Sequence, residues 1–275
     1  MNSNVKSAIL WIIAVAMTLG AVVYQKRTGP TYPVRGEKTI GDQKIPYQLI
    51  RSYNTGFRAP VKIVAPDTAI TGEIKFRRFK SFDKWTVEPM FRSGDTLIAL
   101  LPGLPAAGKV MYQVTLAKGG TSVLLNSDPA VLRYKGAVPG FILIPHIFFI
   151  FFAMLFSTRA GLEALARGRL TYVYTWLTVI FLAIGGLVLG PIVQKYAFDA
   201  YWTGWPFGHD LTDNKSLVAF IFWIVALIFL FRNREKRSWA VVAAIVTLVV
   251  FMIPHSMLGS EIDYTKEAPK TEMPD

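Results

Sequence analysis

Five long stretches almost free of charge limit what this chain can fold into. They run from Ala8 to Tyr24, Ala137 to Ser157, Thr171 to Val193, Leu217 to Phe231 and Trp239 to Leu258. In a bilayer core every backbone N–H and C=O must be satisfied within the spanning segment, so apolar runs of about 20 residues read as transmembrane helices. The mean hydropathy of +0.38 and the 52% hydrophobic content exceed what a soluble domain carries. The fourth run is short for a span, and its helix is expected to begin near Leu211. The first lies behind Lys6 in the position of a signal peptide. No small-x-small cleavage site follows it and Gln25-Lys26-Arg27 comes next, so it reads as a retained anchor.

Short loops rich in Lys and Arg stay cytoplasmic. Between spans two and three lie Arg159, Arg167 and Arg169 against Glu163. Between spans four and five lies Arg232-Asn233-Arg234-Glu235-Lys236-Arg237. The expected topology has the N-terminus inside, and residues 26–136, the 194–216 loop and the C-terminus outside, in an arrangement suited to a bacterial inner membrane. Lys26 and Arg27 oppose it, but long translocated domains are less sensitive to charge.

The insert reads as all-β. Candidate strands are Tyr47–Ser52, Ala59–Ala65, Ala69–Phe76, Lys84–Phe91, Thr96–Leu101, Lys109–Leu116, Thr121–Leu125 and Val131–Tyr134, with turn residues between them. Val61, Ile63 and Ala65 alternate, as do Ile74 and Phe76, and Val110, Tyr112, Val114 and Leu116. A half-buried strand needs this period of two. The stretch Leu104-Pro105-Ala106-Ala107-Gly108-Lys109-Val110-Met111-Tyr112 resembles the tyrosine corner of fibronectin-III and immunoglobulin-like sandwiches. That resemblance implies a sandwich in which the hydroxyl of Tyr112 bonds to backbone a few residues upstream; it implies no function. The expected fold is therefore a membrane α-helical bundle of five transmembrane helices with an inserted β-sandwich. Its parts are an anchor (1–25), an extracytoplasmic sandwich (26–136), a four-helix transmembrane bundle (137–258) and an acidic extracytoplasmic tail (259–275).

From Gln25 to Gly136 there are 18 Lys and Arg against 8 Asp and Glu. Such a surface suits anionic lipid headgroups or an acidic protein partner; no nucleic acid is expected. Lys75-Phe76-Arg77-Arg78-Phe79-Lys80 concentrates the charge. It reads either as a contact with such a partner or as a solvated strand edge that resists edge-to-edge pairing.

Chemistry enters with the three histidines. His146 and His255 each follow Ile-Pro near one end of an apolar run, and His209 lies in a loop beside Asp210 and Asp213. Ionisable groups at membrane depth are costly and mark functional sites. Neutral imidazole ligates haem iron, zinc and copper. The expected site at the outer face takes His146 and His255 as ligands of a haem b, a transition metal or a quinone head. His209, Asp210, Asp213, Glu261 and Asp263 would supplement them. A proline one residue earlier removes a backbone donor and frees a carbonyl for an imidazole N–H. Plain readings stand beside this: bundle-facing histidines bonded to carbonyls, Asp210 or Thr212 capping a helix, and Tyr201, Trp202 and Trp205 as an interfacial belt. Gly186 and Gly190 have the spacing of close helix packing.

The absence of cysteine excludes disulfides and thiolate chemistry. No HExxH, CxxCH, Walker or GxSxG motif is present, and no charge is expected at the midplane of spans three to five, where transporters place coupling residues. Two functions remain. One is a non-catalytic subunit or scaffold of an envelope complex, possible in a respiratory setting, that uses the sandwich for protein contacts. The other is a redox or metal-handling membrane protein built on His146 and His255.

Overall fold

The computed structural model describes residues 2–208, 210–254, 259 and 261–266. The chain forms two compact units, one of Met1–Pro30 with Val138–Ser260 and one of Thr31–Ala137 with Glu261–Asp275.

The first unit is helical: α1 (Ser3–Thr28), α2 (Gly140–Leu165), α3 (Thr171–Leu182), a π-helical stretch Ala183–Leu189, α4 (Gly190–Phe198), α5 (Leu211–Arg232) and α6 (Ser238–Met252). Among the described residues four helices are long and apolar enough to cross a membrane: Asn4–Thr28, Gly140–Leu165, Thr171–Phe198, which continues through the π-helical stretch, and Leu211–Arg232. The fifth apolar run forms the shorter helix α6.

Small residues set the packing. Ala219 and Ala226 of α5 and Ala240 and Ala243 of α6 are buried. A Cβ on Gly161 would stand 2.6 Å from that of Ala244, so α2 and α6 approach closely there. The buried Trp223 indole donates to Thr247 Oγ1 at 2.8 Å. Thr158, Thr175, Thr178 and Thr247 donate to the carbonyl four residues back, which satisfies their hydroxyls inside an apolar core.

Helix α2 does not end at Ser157. Ala160, Gly161 and Ala164 carry it on to Leu165 and bury Arg159 and Glu163 within the unit. Arg159 Nη1 donates to Glu163 Oε2 at 2.7 Å, one helical turn on. The guanidinium lies over Trp11 (5.3 Å) and Tyr174 (4.6 Å), which joins α1 to α2 and α3. Breaking such a buried pair costs about 3–5 kcal/mol.

The second unit is β. The hairpin β1 (Val34–Ile40) and β2 (Gln43–Leu49) turns at Gly41, where φ is +57°. A six-stranded sheet has the order β3 (Ser52–Asn54), β11 (Ala130–Lys135), β9 (Lys109–Lys118), β5 (Thr71–Arg78), β6 (Thr86–Pro89), with β10 (Thr121–Leu124) paired to the end of β9. A three-stranded sheet has the order β4 (Ala59–Val64), β8 (Thr96–Leu101), β7 (Phe91–Ser93). One shared core takes Ile40, Ile45 and Leu49 from the hairpin, Val61, Ile63, Leu97 and Leu101 from the small sheet, and Ile74, Val110, Tyr112 and Val114 from the large one. Burying each large aliphatic side chain contributes about 1.5–3 kcal/mol.

The alternation read in β4, β5 and β9 holds, with Gly72, Ile74, Phe76 and Arg78 inward in β5 and Val110, Tyr112, Val114 and Leu116 inward in β9. The β1 strand was not expected. Its burial pattern is almost wholly exposed, and Pro46 interrupts the apolar rhythm of its partner. The tyrosine corner also differs from expectation. Tyr112 Oη donates to the Ile50 carbonyl at 2.7 Å, 62 residues upstream rather than a few.

The segment expected as the start of an acidic tail belongs to this unit. Tyr264 is buried in its core, and Ile262 N donates to Ala107 O at 3.3 Å. Glu261 pairs with both Lys80 and Lys109.

Candidate functional site

The side chains expected to form one constellation divide between the two units. His146, Asp210 and Asp213 belong to the helical unit and Glu261 and Asp263 to the β unit. His209 and His255 lie outside the described residues, so the pairing of His146 with His255 is not described.

Three of the expected residues do come together. His146, Asp210 and Asp213 line one cavity of about 100 Å³ with Gln194, Ser216 and Phe251. The sequence builds it from four helices, α2, the α3–α4 helix, α5 and α6. Pro145 sits inside the first turns of α2 and delivers His146 one residue later. On the facing segment, the π-helical stretch has bonds from residue i+5, and Gly190 N–H reaches Gly185 O. The same carbonyl lies 2.9 Å from His146 Nδ1. A carbonyl only accepts, so Nδ1 carries the proton and donates, and in the neutral ring Nε2 keeps a lone pair. Nε2 has no hydrogen-bond partner among the described residues. The carbonyl that fixes the tautomer thus comes from the π-helical stretch, not from the proline-freed position in α2. Such stretches recur at functional sites.

The two aspartates are anchors for the segment 200–208. Asp210 caps α5, its Oδ1 accepting from Thr212 N at 2.7 Å. Asp213 Oδ2 accepts from Thr203 N at 2.7 Å, and Thr203 Oγ1 lies 3.2 Å from Asp210 Oδ2 and accepts from Gln194 Nε2 at 2.7 Å. Asn214 Oδ1 accepts from Trp205 N at 2.7 Å. Gly204 is required here, because a Cβ would stand 2.6 Å from that of Asp213. Lys215, also buried, donates to Ile253 O at 2.9 Å.

The cavity therefore offers one imidazole lone pair beside two carboxylates already engaged. It has room for a few ordered waters or a small hydrogen-bond donor. Pockets for cofactor-sized ligands run to roughly 300–1,000 Å³, above the volume that the described residues enclose here. Among the described residues no three His, Asp or Glu are close enough to hold a metal ion.

Three buried charges went unforeseen. Lys215 follows Asp213 in a run read as capping. Arg159 and Glu163 were assigned to a loop, although their spacing of four and the small residues between them are a helical signal.

The basic run 75–80 resolves by strand alternation. Arg78 points inward, bidentate on Asp83 at 2.6 and 2.7 Å and 4.5 Å above the Tyr264 ring. Lys75 and Arg77 point the other way, and both lie over the Trp85 ring, the ammonium 4.7 Å and the guanidinium 4.8 Å from its centroid. Neither cation has a carboxylate partner among the described residues, and Arg77 Nε is buried with no hydrogen-bond partner.

Comparisons with protein-family models, curated proteins and solved structures gave no significant match.

Proposed function

We propose that this chain is a five-span protein of a bacterial inner membrane that serves as a non-catalytic subunit or scaffold of an envelope complex. Its β unit, read as an immunoglobulin-like sandwich on the outer side, is the protein-contact module. The observation that carries this is the Lys75–Trp85–Arg77 stack. Trp and Arg dominate binding energy at interfaces, and here a tryptophan that carries two cations with no carboxylate partner among the described residues suits an acidic segment of a partner protein.

Chain parity supports the five spans. The β unit is assembled from residues 31–137 and 261–266, which flank the later helices in sequence. Both stretches must then lie on one side of any membrane, so the chain crosses an even number of times between them. Helix α2, the α3–α4 helix and α5 make three crossings, and α6 supplies the fourth. The basic α2–α3 and α5–α6 loops then lie opposite the β unit, which is the cytoplasmic side under the positive-inside rule.

The test is purification of the full-length chain at native abundance after cross-linking in cells. A stoichiometric partner with an acidic contact segment, weakened by Lys75→Glu with Arg77→Glu, is the expected result. A clean monomer in the cross-linked membranes would sink the reading.

A second reading has its own observation. The Gly185 carbonyl orients His146 as backbone carbonyls hydrogen-bonded to the other ring nitrogen orient metal-ligating histidines. A redox group or metal held with His255 predicts an absorption band or near-stoichiometric metal that His146→Ala removes. A featureless spectrum without metal in the wild type would leave His146 a packing residue.

A further inference from the structure

The α2–α3 and α5–α6 loops lie at one end of the helical unit and carry Arg167, Arg169, Arg234, Lys236 and Arg237, with Arg232 at the end of α5 beside them and Glu235 as the sole acid in either loop. Arg237 Nη1 donates to Arg167 O at 3.1 Å, which ties the loops together. Between them is a cavity of about 190 Å³, lined by Arg169, Arg234, Arg237, Thr171, Tyr172 and Leu230.

Three features give this cavity its chemistry. Its arginines have no counter-charge: among the described residues no carboxylate pairs with Arg169, Arg234 or Arg237. Glu163, the acid at the end of α2, is engaged by Arg159 and by Leu170 N. The guanidinium of Arg234 is stacked on the Tyr172 ring at 3.2 Å, which leaves its edge N–H groups for an anion. Aromatic and apolar groups adjoin the charge. Trp239 stacks on Phe229 at 4.5 Å, and Leu170, Val173 and Phe231 are exposed. Aromatic residues collect at headgroup depth. The first turn of α3, with no side-chain cap, adds the positive end of a helix.

We propose that this cavity binds the phosphate headgroup of an anionic phospholipid, whose acyl chains run along the exposed apolar surface of α3 and α5. Arginine forks match phosphate oxygens bidentately, and basic pockets between transmembrane helices on the cytoplasmic side take such headgroups. The apolar surface beside the arginines favours a lipid over free phosphate. The inference rests on the membrane reading of the helices and is independent of any partner of the β unit.

The test uses the full-length chain in detergent, titrated with dioctanoyl phosphatidylglycerol and with dioctanoyl phosphatidylcholine and read by native mass spectrometry. The two probes share their tails and differ in headgroup charge. Phosphatidylglycerol is expected to bind about tenfold or more tighter, and the Arg169→Ala, Arg234→Ala, Arg237→Ala triple variant to lose that preference. If the triple variant does not fold, the exposed Arg234→Gln substitution alone should reduce the preference. Equal binding of the two lipids by the wild type overturns the proposal, as does a preference unchanged in the variants. Displacement of phosphatidylglycerol by inorganic phosphate at equal concentration overturns the lipid assignment.

Discussion

Arg77 and Arg78 are neighbours in sequence with opposite roles, because side chains alternate faces along a strand. Arg78→Ala strands the carboxylate of Asp83, whose side chain is largely buried, and removes the cation above Tyr264. It should destabilise the β unit by about 3 kcal/mol, whereas Arg77→Ala, with no carboxylate to strand, should stay within about 0.5–1 kcal/mol. Denaturant unfolding of the full chain, followed by hydrogen exchange in β5, measures both; equal losses would refute the assignment of roles. Extending the period of two from Ile74 and Phe76 to position 78 already places Arg78 inside, so this much was legible in the sequence. Glu261 illustrates the opposite case. Burial pushes its carboxyl up, but the ammonium groups of Lys109 and Lys80 outweigh that and hold it below the usual glutamate range. Burial and the charge of Arg133 pull Lys109 down although Glu261 raises it, so the carboxylate that faces two cations is the better reporter of this cluster. A lowered carboxylate pKa in the folded chain stabilises above the unfolded value, about 4.3, and that stability is lost as pH falls below it. Exchange protection in residues 261–266 should therefore hold from neutral pH to about 5 and fall on further acidification, and Glu261→Gln should remove the dependence. Nothing local to Glu261 reveals partners more than 150 residues earlier in the chain.

Among the elements, the π-helical stretch Ala183–Leu189 departs furthest from a reading by periodicity. Gly185, Gly186 and Gly190 announce close packing, but the tight contact falls on Gly185. A Cβ there would meet Phe149 Cβ at 2.9 Å and Ile150 N at 3.0 Å, whereas at Gly186 the nearest atom is 3.6 Å away. Gly185→Ala should push α2 from the π-helical stretch and break the His146 bond, costing about 1–3 kcal/mol. Gly186→Ala should be nearly neutral. Thermal unfolding in detergent separates them, and equal effects would remove the special role of Gly185. Apolar runs locate helices well because each run must satisfy its own backbone. They do not show where hydrogen bonds change from i+4 to i+5, because one extra residue per turn leaves no mark on composition. For the same reason the Pro145–His146 pair was visible in sequence while its acceptor was not. The end of α2 was missed for another cause: charge at Arg159 and Glu163 looks like a loop until the two residues neutralise each other.

For the whole molecule, the decisive relation is that one β unit is closed by two segments separated by more than a hundred residues of apolar helix. Tyr264 is buried in the same core as Val110 and Leu132, so residues 261–266 share a compartment with residues 31–137. The proposed topology therefore needs α6 to cross, although at 15 residues it spans only about 22 Å as a regular helix against a hydrocarbon core of about 30 Å. In the sequence the five spans are expected from apolar runs and their orientation from charge bias; chain parity is a separate argument from packing that supports the same proposal. The chain has no cysteine, so single cysteines report topology without background. Phe57→Cys in the β unit and Lys266→Cys in its closing segment, both at exposed positions, should react with a membrane-impermeant maleimide applied to intact spheroplasts. Glu235→Cys in the α5–α6 loop should react only after permeabilisation. Labelling of positions 235 and 266 from the same side would mean that α6 does not cross. Residues 261–266 could not then complete the β unit, and both the five-span reading and the cytoplasmic placement of the arginine cavity would fall together.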